Sequence, residues 1–253
     1  MQLLRRAAVF IVVLAFRIDA HAATVVVTPD NLGSWQRGPL LSPCSPFPGD
    51  LEFVNGPAIP PLGTGSLEIG INPTSPLVVF FSRVLDDVPV GDITALRYST
   101  YVAFSSPPGN APRLLLTIET NEPSAPFEQL VFTPPPASVI TGGWQSWDAL
   151  AGTWTALFAF PTPPPTTLAA YVAAHPAARI TQQQGGLAIV AGCNGAQSVS
   201  AVDAVGVGVS GAPTLFDFEL VAPAAVPALE TWALMALLSA LVLAGAHRAR
   251  SLL

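Results

Sequence analysis

Short apolar stretches separated by Gly and Pro dominate the middle of the chain. Residues 65–71 alternate apolar and polar positions, and residues 77–83 are rich in Val and Phe, as β-strands are. The same patterns predict strands over 93–104, 113–120, 129–132, 154–160, 186–191, 201–209 and 214–220. The last two should form a hairpin across residues 210–213. Strands at this spacing are typical of an all-β sandwich or barrel.

One short helix interrupts the strand pattern, over residues 166–174. Thr166 or Thr167 is suited to cap its first turn, and the helix has to end before Pro176. Leu168, Tyr171 and Val172 fall on one face of this helix, which predicts that it lies over the sandwich.

The first 22 residues have the pattern of a secretory signal peptide. Arg5 and Arg6 precede ten apolar residues, and Ala20-His21-Ala22 matches the small-x-small site of signal peptidase. We therefore expect cleavage after Ala22 and export of the chain. The alternative is an uncleaved anchor, but ten residues are too few for a hydrocarbon core of about 30 Å.

The C-terminal residues 226–253 contain a second apolar run, 232–246, followed by a basic tail with Arg248 and Arg250. Fifteen helical residues extend about 22 Å, enough for a short membrane helix if the arginines reach the interface. The positive-inside rule predicts a cytoplasmic C-terminus and an exported domain. The alternative is a terminal helix of the folded domain.

The residues before this run resemble the IPTL-CTERM sorting signal, a relative of PEP-CTERM. In that family the motif runs Ile/Val-Pro-Thr-Leu-Ser-Glu-Trp. Val226, Pro227, Leu229 and Trp232 match it, while Ala228, Glu230 and Thr231 depart from it. The resemblance implies a Gram-negative exoprotein that stays in the inner membrane until a membrane sorting protease processes it.

The net charge of residues 23–225, the predicted single domain, excludes some classes of function. All ten Lys and Arg residues of the chain are Arg. Residues 23–225 contain five of them and fourteen acidic residues, which gives a net charge near −9. Such a domain repels nucleic acid and is compatible with Ca²⁺. The hydrophobic content of the whole chain, 51%, is sufficient for a core and argues against disorder.

The two cysteines, Cys44 and Cys193, both lie in the exported part. An oxidising compartment favours a disulfide between them, and two free thiols are the alternative. A zinc site is not expected, because His175 is the one histidine of this part.

Several segments resemble the jelly-roll domains of secreted bacterial lectin-like proteins and carbohydrate-binding modules. They are Trp35, residues 53–57 and 62–67, Trp144, residues 147–148, 152–154, 167–171 and 185–187, and residues 216–219 (FDFE). The resemblance implies a jelly-roll-like β-sandwich covering most of the domain, with glycan binding as the associated function.

The best local candidate for glycan binding is Trp144, Gln145, Trp147 and Asp148, with Trp154 nearby. Two Trp three positions apart in a Gly-flanked loop can present ring faces to a sugar beside polar groups. The alternative is that these rings close the end of the core. Trp35 and Gln36 leave the same two interpretations open.

An enzyme is the competing class. A glycosidase needs a pair of carboxylates, and the candidates on predicted strands are Glu68, Glu119, Glu128, Asp203, Asp217 and Glu219. Asp217 and Glu219 should point to one side of their strand, and Phe216 and Phe218 to the other. A Ser-His-Asp triad would depend on His175, and no G-x-S-x-G motif occurs.

Calcium is the one ion for which candidate loops exist, at Asp30-Asn31, Asp86-Asp87 and Asp92. Asp and Asn in turns more commonly bind their own backbone, and no cofactor is expected. The sequence thus favours a non-enzymatic exported β-sandwich of the cell surface or matrix that binds glycan. The alternative is a secreted glycan-active enzyme.

Overall fold

The computed structural model describes residues 22–38, 50–73, 77–122, 125–157, 164–181, 185–193 and 197–222. The described chain is mostly β and belongs, up to Leu220, to one compact unit. Ala20, Cys44, the sorting motif (Val226, Pro227, Leu229, Trp232) and Arg248 and Arg250 lie outside the described residues. Within these ranges no helix is long and apolar enough to span a bilayer.

The described residues form fifteen strands. They are β1 (Ala23–Val27), β2 (Trp35–Arg37), β3 (Asp50–Asn55), β4 (Gly65–Ile71), β5 (Leu77–Ser82), β6 (Ile93–Ser106), β7 (Arg113–Glu122), β8 (Ala125–Phe132), β9 (Trp144–Asp148), β10 (Thr153–Leu157), β11 (Thr166–Thr167), β12 (Arg179–Ile180), β13 (Leu187–Gly192), β14 (Gln197–Val209) and β15 (Ala212–Phe218). Two short 3₁₀ turns, Val90–Asp92 and Pro136–Ser138, lie in the connections.

The first sheet divides into two branches along its central strand. One edge of β14 pairs with β6 along its whole length, and β9 pairs with the far edge of β6. The other edge pairs with β4 over residues 198–202 and with β15 over residues 205–209. Strand β3 extends the β4 branch, and β1 joins the β15 branch in parallel. Asp203 lies at the fork, just before Ala204, whose φ is 52°.

The second sheet has the order β11-β10-β8-β7-β13-β5-β2, with β12 paired to the end of β7. The main core contains side chains from both sheets, which gives the molecule the character of a β-sandwich. Trp35 lies in this core, 1% exposed, so the core interpretation of that residue is confirmed. Its ring stacks on Phe80 at 5.0 Å and meets Phe216 and Phe218 edge-on.

A smaller apolar cluster lies on the other face of the second sheet. It contains Leu77, Val79, Leu115, Val131, Ala188 and Val190. Strands β5 and β13 are therefore buried on both faces, which explains why they read as continuous apolar runs without alternation.

The single α-helix of the described chain, α1 (Leu168–Ala174), confirms the predicted one. Thr167 is its N-cap, because its Oγ1 accepts a hydrogen bond from the Ala170 N–H at 3.2 Å. Leu168 and Tyr171 are buried, and Val172 packs against the core as predicted. The hairpin of β14 and β15 is also confirmed.

Three parts of the sequence prediction need correction. Residues 144–148 form β9 and not the predicted loop, because the edge of β6 pairs with them. Three strands were not predicted: β2 and β3, at the edges of the two sheets, and the short β12. Strand β8 starts four residues before the predicted 129.

Cys193 follows β13 on the surface, and none of the described cysteines is free. Because Cys44 lies outside the described residues, its pairing with Cys193 stays a prediction.

Candidate functional site

The predicted aromatic platform is divided between two faces of the first sheet. In a strand, residues three apart point in opposite directions, so β9 separates Trp144 from Trp147. Trp147 packs against the core, and its Nε1 donates to Thr100 Oγ1 at 2.8 Å. Trp144 lies on the outer face beside Tyr101, with ring centroids 5.8 Å apart. The two rings therefore do not form one surface.

The other members of the predicted set hold the protein's own backbone. Trp154 is fully buried and donates from Nε1 to the Ala149 carbonyl, so its ring has no face for a ligand. Gln145 accepts a hydrogen bond from Ile140 N and donates one to Ser138 O, both at 2.7 Å. Asp148 accepts one from Ala151 N at 3.1 Å.

The loop between β3 and β4, residues 56–64, crosses the outer face of the first sheet, and we call it the strap. The carbonyl of Pro57 accepts a hydrogen bond from Trp144 Nε1 at 2.9 Å. At its other end, Leu62 N donates to Asp203 Oδ2 at 2.9 Å, and Thr64 N donates to Glu219 Oε1 at 2.6 Å. Trp144 and two acids therefore hold the strap on the sheet.

Three carboxylates meet under the strap, at the fork of the first sheet. Asp217 and Glu219 point to one side of the chain, and Phe216 and Phe218 to the core, as predicted. Burial raises the pKa of Asp203 to about 6 against three backbone hydrogen bonds that lower it. Burial, and then the charge of Glu219, raise the pKa of Asp217 to about 6.

The remaining candidate acids are scattered over other surfaces. Glu119 is exposed on the second sheet, and Glu128 accepts a hydrogen bond from the Tyr171 hydroxyl at 2.8 Å. Asp86 and Asp87 pair with Arg83 and Arg179 at 2.7 and 3.0 Å. The ring of His175 lies 4.7 Å from that of Tyr171.

The predicted calcium turn at Asp30-Asn31 is closed by its own chain, because Asn31 N donates to Thr28 Oγ1. Across the described ranges, no three Asp, Glu, His or Cys side chains form a group that holds a metal by themselves. A metal centre would therefore need oxygen atoms from the backbone or from water as well.

An open depression of about 340 Å³ lies on the outer face of the first sheet, across β3, β4 and β14. Its polar lining is Asp50, Glu52, Glu68, Asn72 and Ser198, and Val199 is part of its apolar lining. Glu52 and Glu68 are direct neighbours across two strands, and Asn72 Nδ2 donates to Asp50 Oδ2 at 3.2 Å.

An exposed aromatic ring, that of Phe104, lies on strand β6, next to the β14 edge of the depression. Phe104 is the register partner of Val199, and the two are 51% and 40% exposed. Of the residues that line this depression, Glu68 alone belongs to the six candidate acids predicted from the sequence. Asp50 and Glu52 alternate with the apolar Leu51 and Phe53. This period-two pattern is the local signal in the sequence for β3 and for its polar outer face.

No family model, curated protein or solved structure matches the chain. The features that bear on function are therefore the outer face of the first sheet and the two termini, whose sequences resemble export and sorting signals.

Proposed function

We propose that this protein is an exported jelly-roll-like β-sandwich of the cell surface or extracellular matrix, which binds glycan in the open depression of its first sheet. One observation carries the binding proposal: carboxylates and an amide line this depression beside an exposed phenyl ring. Sugars present hydroxyl groups and apolar C–H faces together, and these two kinds of group match them.

The charge of the depression defines the kind of glycan. Asp50, Glu52 and Glu68 accept hydrogen bonds from hydroxyl or ammonium groups, whereas they repel carboxylate and sulfate groups. Neutral glycans, or glycans with amino groups, are therefore the proposed ligands.

The position of the two acids with raised pKa values, Asp203 and Asp217, favours glycan binding over glycan hydrolysis. A glycosidase needs a carboxylic acid with a raised pKa beside the scissile bond. The pKa values of Asp203 and Asp217 are raised, but these residues lie under the strap and do not line the depression.

A glycan array probed with the purified full chain in mild detergent tests this function. We expect binding to neutral or amino glycans and about a tenfold loss in the Glu68→Gln variant, because a neutral amide replaces the charged acceptor. Glu119→Gln on the second sheet is the matched control and should bind like the wild type. Failure of the whole array, or an equal loss in both variants, would contradict the proposal.

The proposed export and membrane retention depend on the two predicted terminal signals, and a separate experiment tests them. A reporter fused after Leu253 should be cytoplasmic before processing, because Arg248 and Arg250 follow the apolar run. Fluorescence of green fluorescent protein at this position is the expected result. Activity of alkaline phosphatase there would show a periplasmic terminus and refute the orientation.

A further inference from the structure

The fork of the first sheet buries three acidic side chains in one place. Asp203 is 0% exposed, Asp217 7% and Glu219 5%. Buried carboxylates normally have cationic partners, because removing an ionised group from water is costly. The chain contains no Lys, and no ion pair joins an Arg to these three carboxylates in the described ranges.

Hydrogen bonds satisfy two of the three carboxylates. Both oxygens of Asp203 accept from backbone N–H groups, those of Leu62 and Phe218. Both oxygens of Glu219 accept from Thr64, one from its N–H and one from its hydroxyl. Oδ1 of Asp217, in contrast, is buried and has no hydrogen-bond partner.

The unpartnered oxygen faces a glycine of the strap. A Cβ atom added to Gly63 would lie 1.6 Å from Glu219 Oε1 and 3.1 Å from Asp217 Oδ1. The two oxygens are therefore within about 5 Å of each other, which is the span of two ligands on one Ca²⁺ at 2.3–2.6 Å each. Gly63 itself is exposed and has a φ of 50°, so solvent reaches the strap at this point.

We propose that Asp217 and Glu219 bind one calcium ion between the fork of the first sheet and the strap. Asp203 is not a ligand in this site but a positioning residue, which holds the strap through Leu62 N. Two carboxylates leave a Ca²⁺ ion short of its six to eight oxygens, and strap carbonyls and water complete the set. This site is independent of the glycan proposal, because it shares no residue with the depression.

The ion neutralises the repulsion between Asp217 and Glu219 and fixes the strap to the sheet. The strap is otherwise held at this end by the hydrogen bonds of Leu62 and Thr64. Calcium should therefore slow hydrogen exchange at these two amides as well as raise the melting temperature.

Thermal unfolding of the chelator-treated full chain, in detergent and with CaCl₂ as the probe, tests the site. We expect Tm to rise by about 5–10 °C when Ca²⁺ exceeds its Kd about a hundredfold. Mg²⁺ should raise Tm less, because it prefers a tighter octahedral site. Slower exchange of the Leu62 and Thr64 amides should accompany the rise in Tm.

Two Asp→Asn variants make the test specific. Asp217→Asn should raise Tm in the absence of Ca²⁺, since it removes a repelling charge, and should abolish the Ca²⁺-dependent rise. Asp30→Asn, at an exposed turn, should respond to Ca²⁺ like the wild type. A wild type that does not respond, an Asp217→Asn variant that responds in full, or an Asp30→Asn variant that does not respond would each overturn the proposal.

Discussion

Trp35→Ala is expected to lower the free energy of unfolding by about 3–5 kcal/mol, the usual cost of truncating a large buried aromatic residue. Trp35 stacks on Phe80 of the second sheet and meets Phe216 and Phe218 of the first edge-on. Removing its ring therefore opens a cavity where the two sheets pack together. Chemical denaturation of the wild type and of the Trp35→Ala variant measures the difference in the free energy of unfolding.

Phe127→Ala is the matched control for this substitution. Phe127 is 44% exposed on the second sheet, so its truncation should cost less than about 1 kcal/mol. An equal loss of stability in the two variants would contradict the assignment of Trp35 to the centre of the core.

In the absence of calcium, the free energy of unfolding should increase as the pH falls from 8 to 5. The pKa values of Asp203 and Asp217 lie near 6 in the folded protein and near 3.8 in the unfolded chain. Near pH 8 both carboxyls are ionised in both states, and the folded state bears the full cost of their burial. Between pH 6 and 4 the folded protein binds protons that the unfolded chain does not, and this cost is relieved.

The expected gain is on the order of 2–4 kcal/mol for the coupled pair. Urea denaturation at successive pH values measures it. Asp217→Asn should reduce the gain, since one of the two titrating carboxyls is then absent, and Asp30→Asn should leave it unchanged. If the wild type instead loses stability steadily from pH 8 to 5, the two acids are not buried as described.

Local patterns predicted the elements whose partners are near in sequence. Alternation identified β4, and the Thr-capped segment identified α1, because each pattern follows from the geometry of its own element. The common direction of Asp217 and Glu219 was predictable for the same reason. For residues 144–148 the local pattern predicted the wrong structure. Their flanking glycines suggest a loop, whereas the strand that they form depends on pairing with the edge of β6.

The arrangement around the sites depends on long-range pairing and was not predictable. Asp203 reaches the strap through a contact between residues 141 positions apart, and Glu219 through one of 155 positions. The depression likewise needs β3, β4 and β14 side by side. A single sequence contains no local signal for either arrangement, although it contained the acidic residues themselves.

Glycan binding at the outer face of the first sheet is tested most directly by calorimetric titration of Phe104→Ala against Phe127→Ala. Both residues are exposed phenylalanines, 51% and 44%, on different sheets, so their truncation should disturb folding to a similar, small degree. With a glycan found on the array, Phe104→Ala should weaken binding about 5- to 100-fold, and Phe127→Ala should leave the Kd unchanged. Unchanged binding in Phe104→Ala, or a loss confined to Phe127→Ala, would contradict the proposed site.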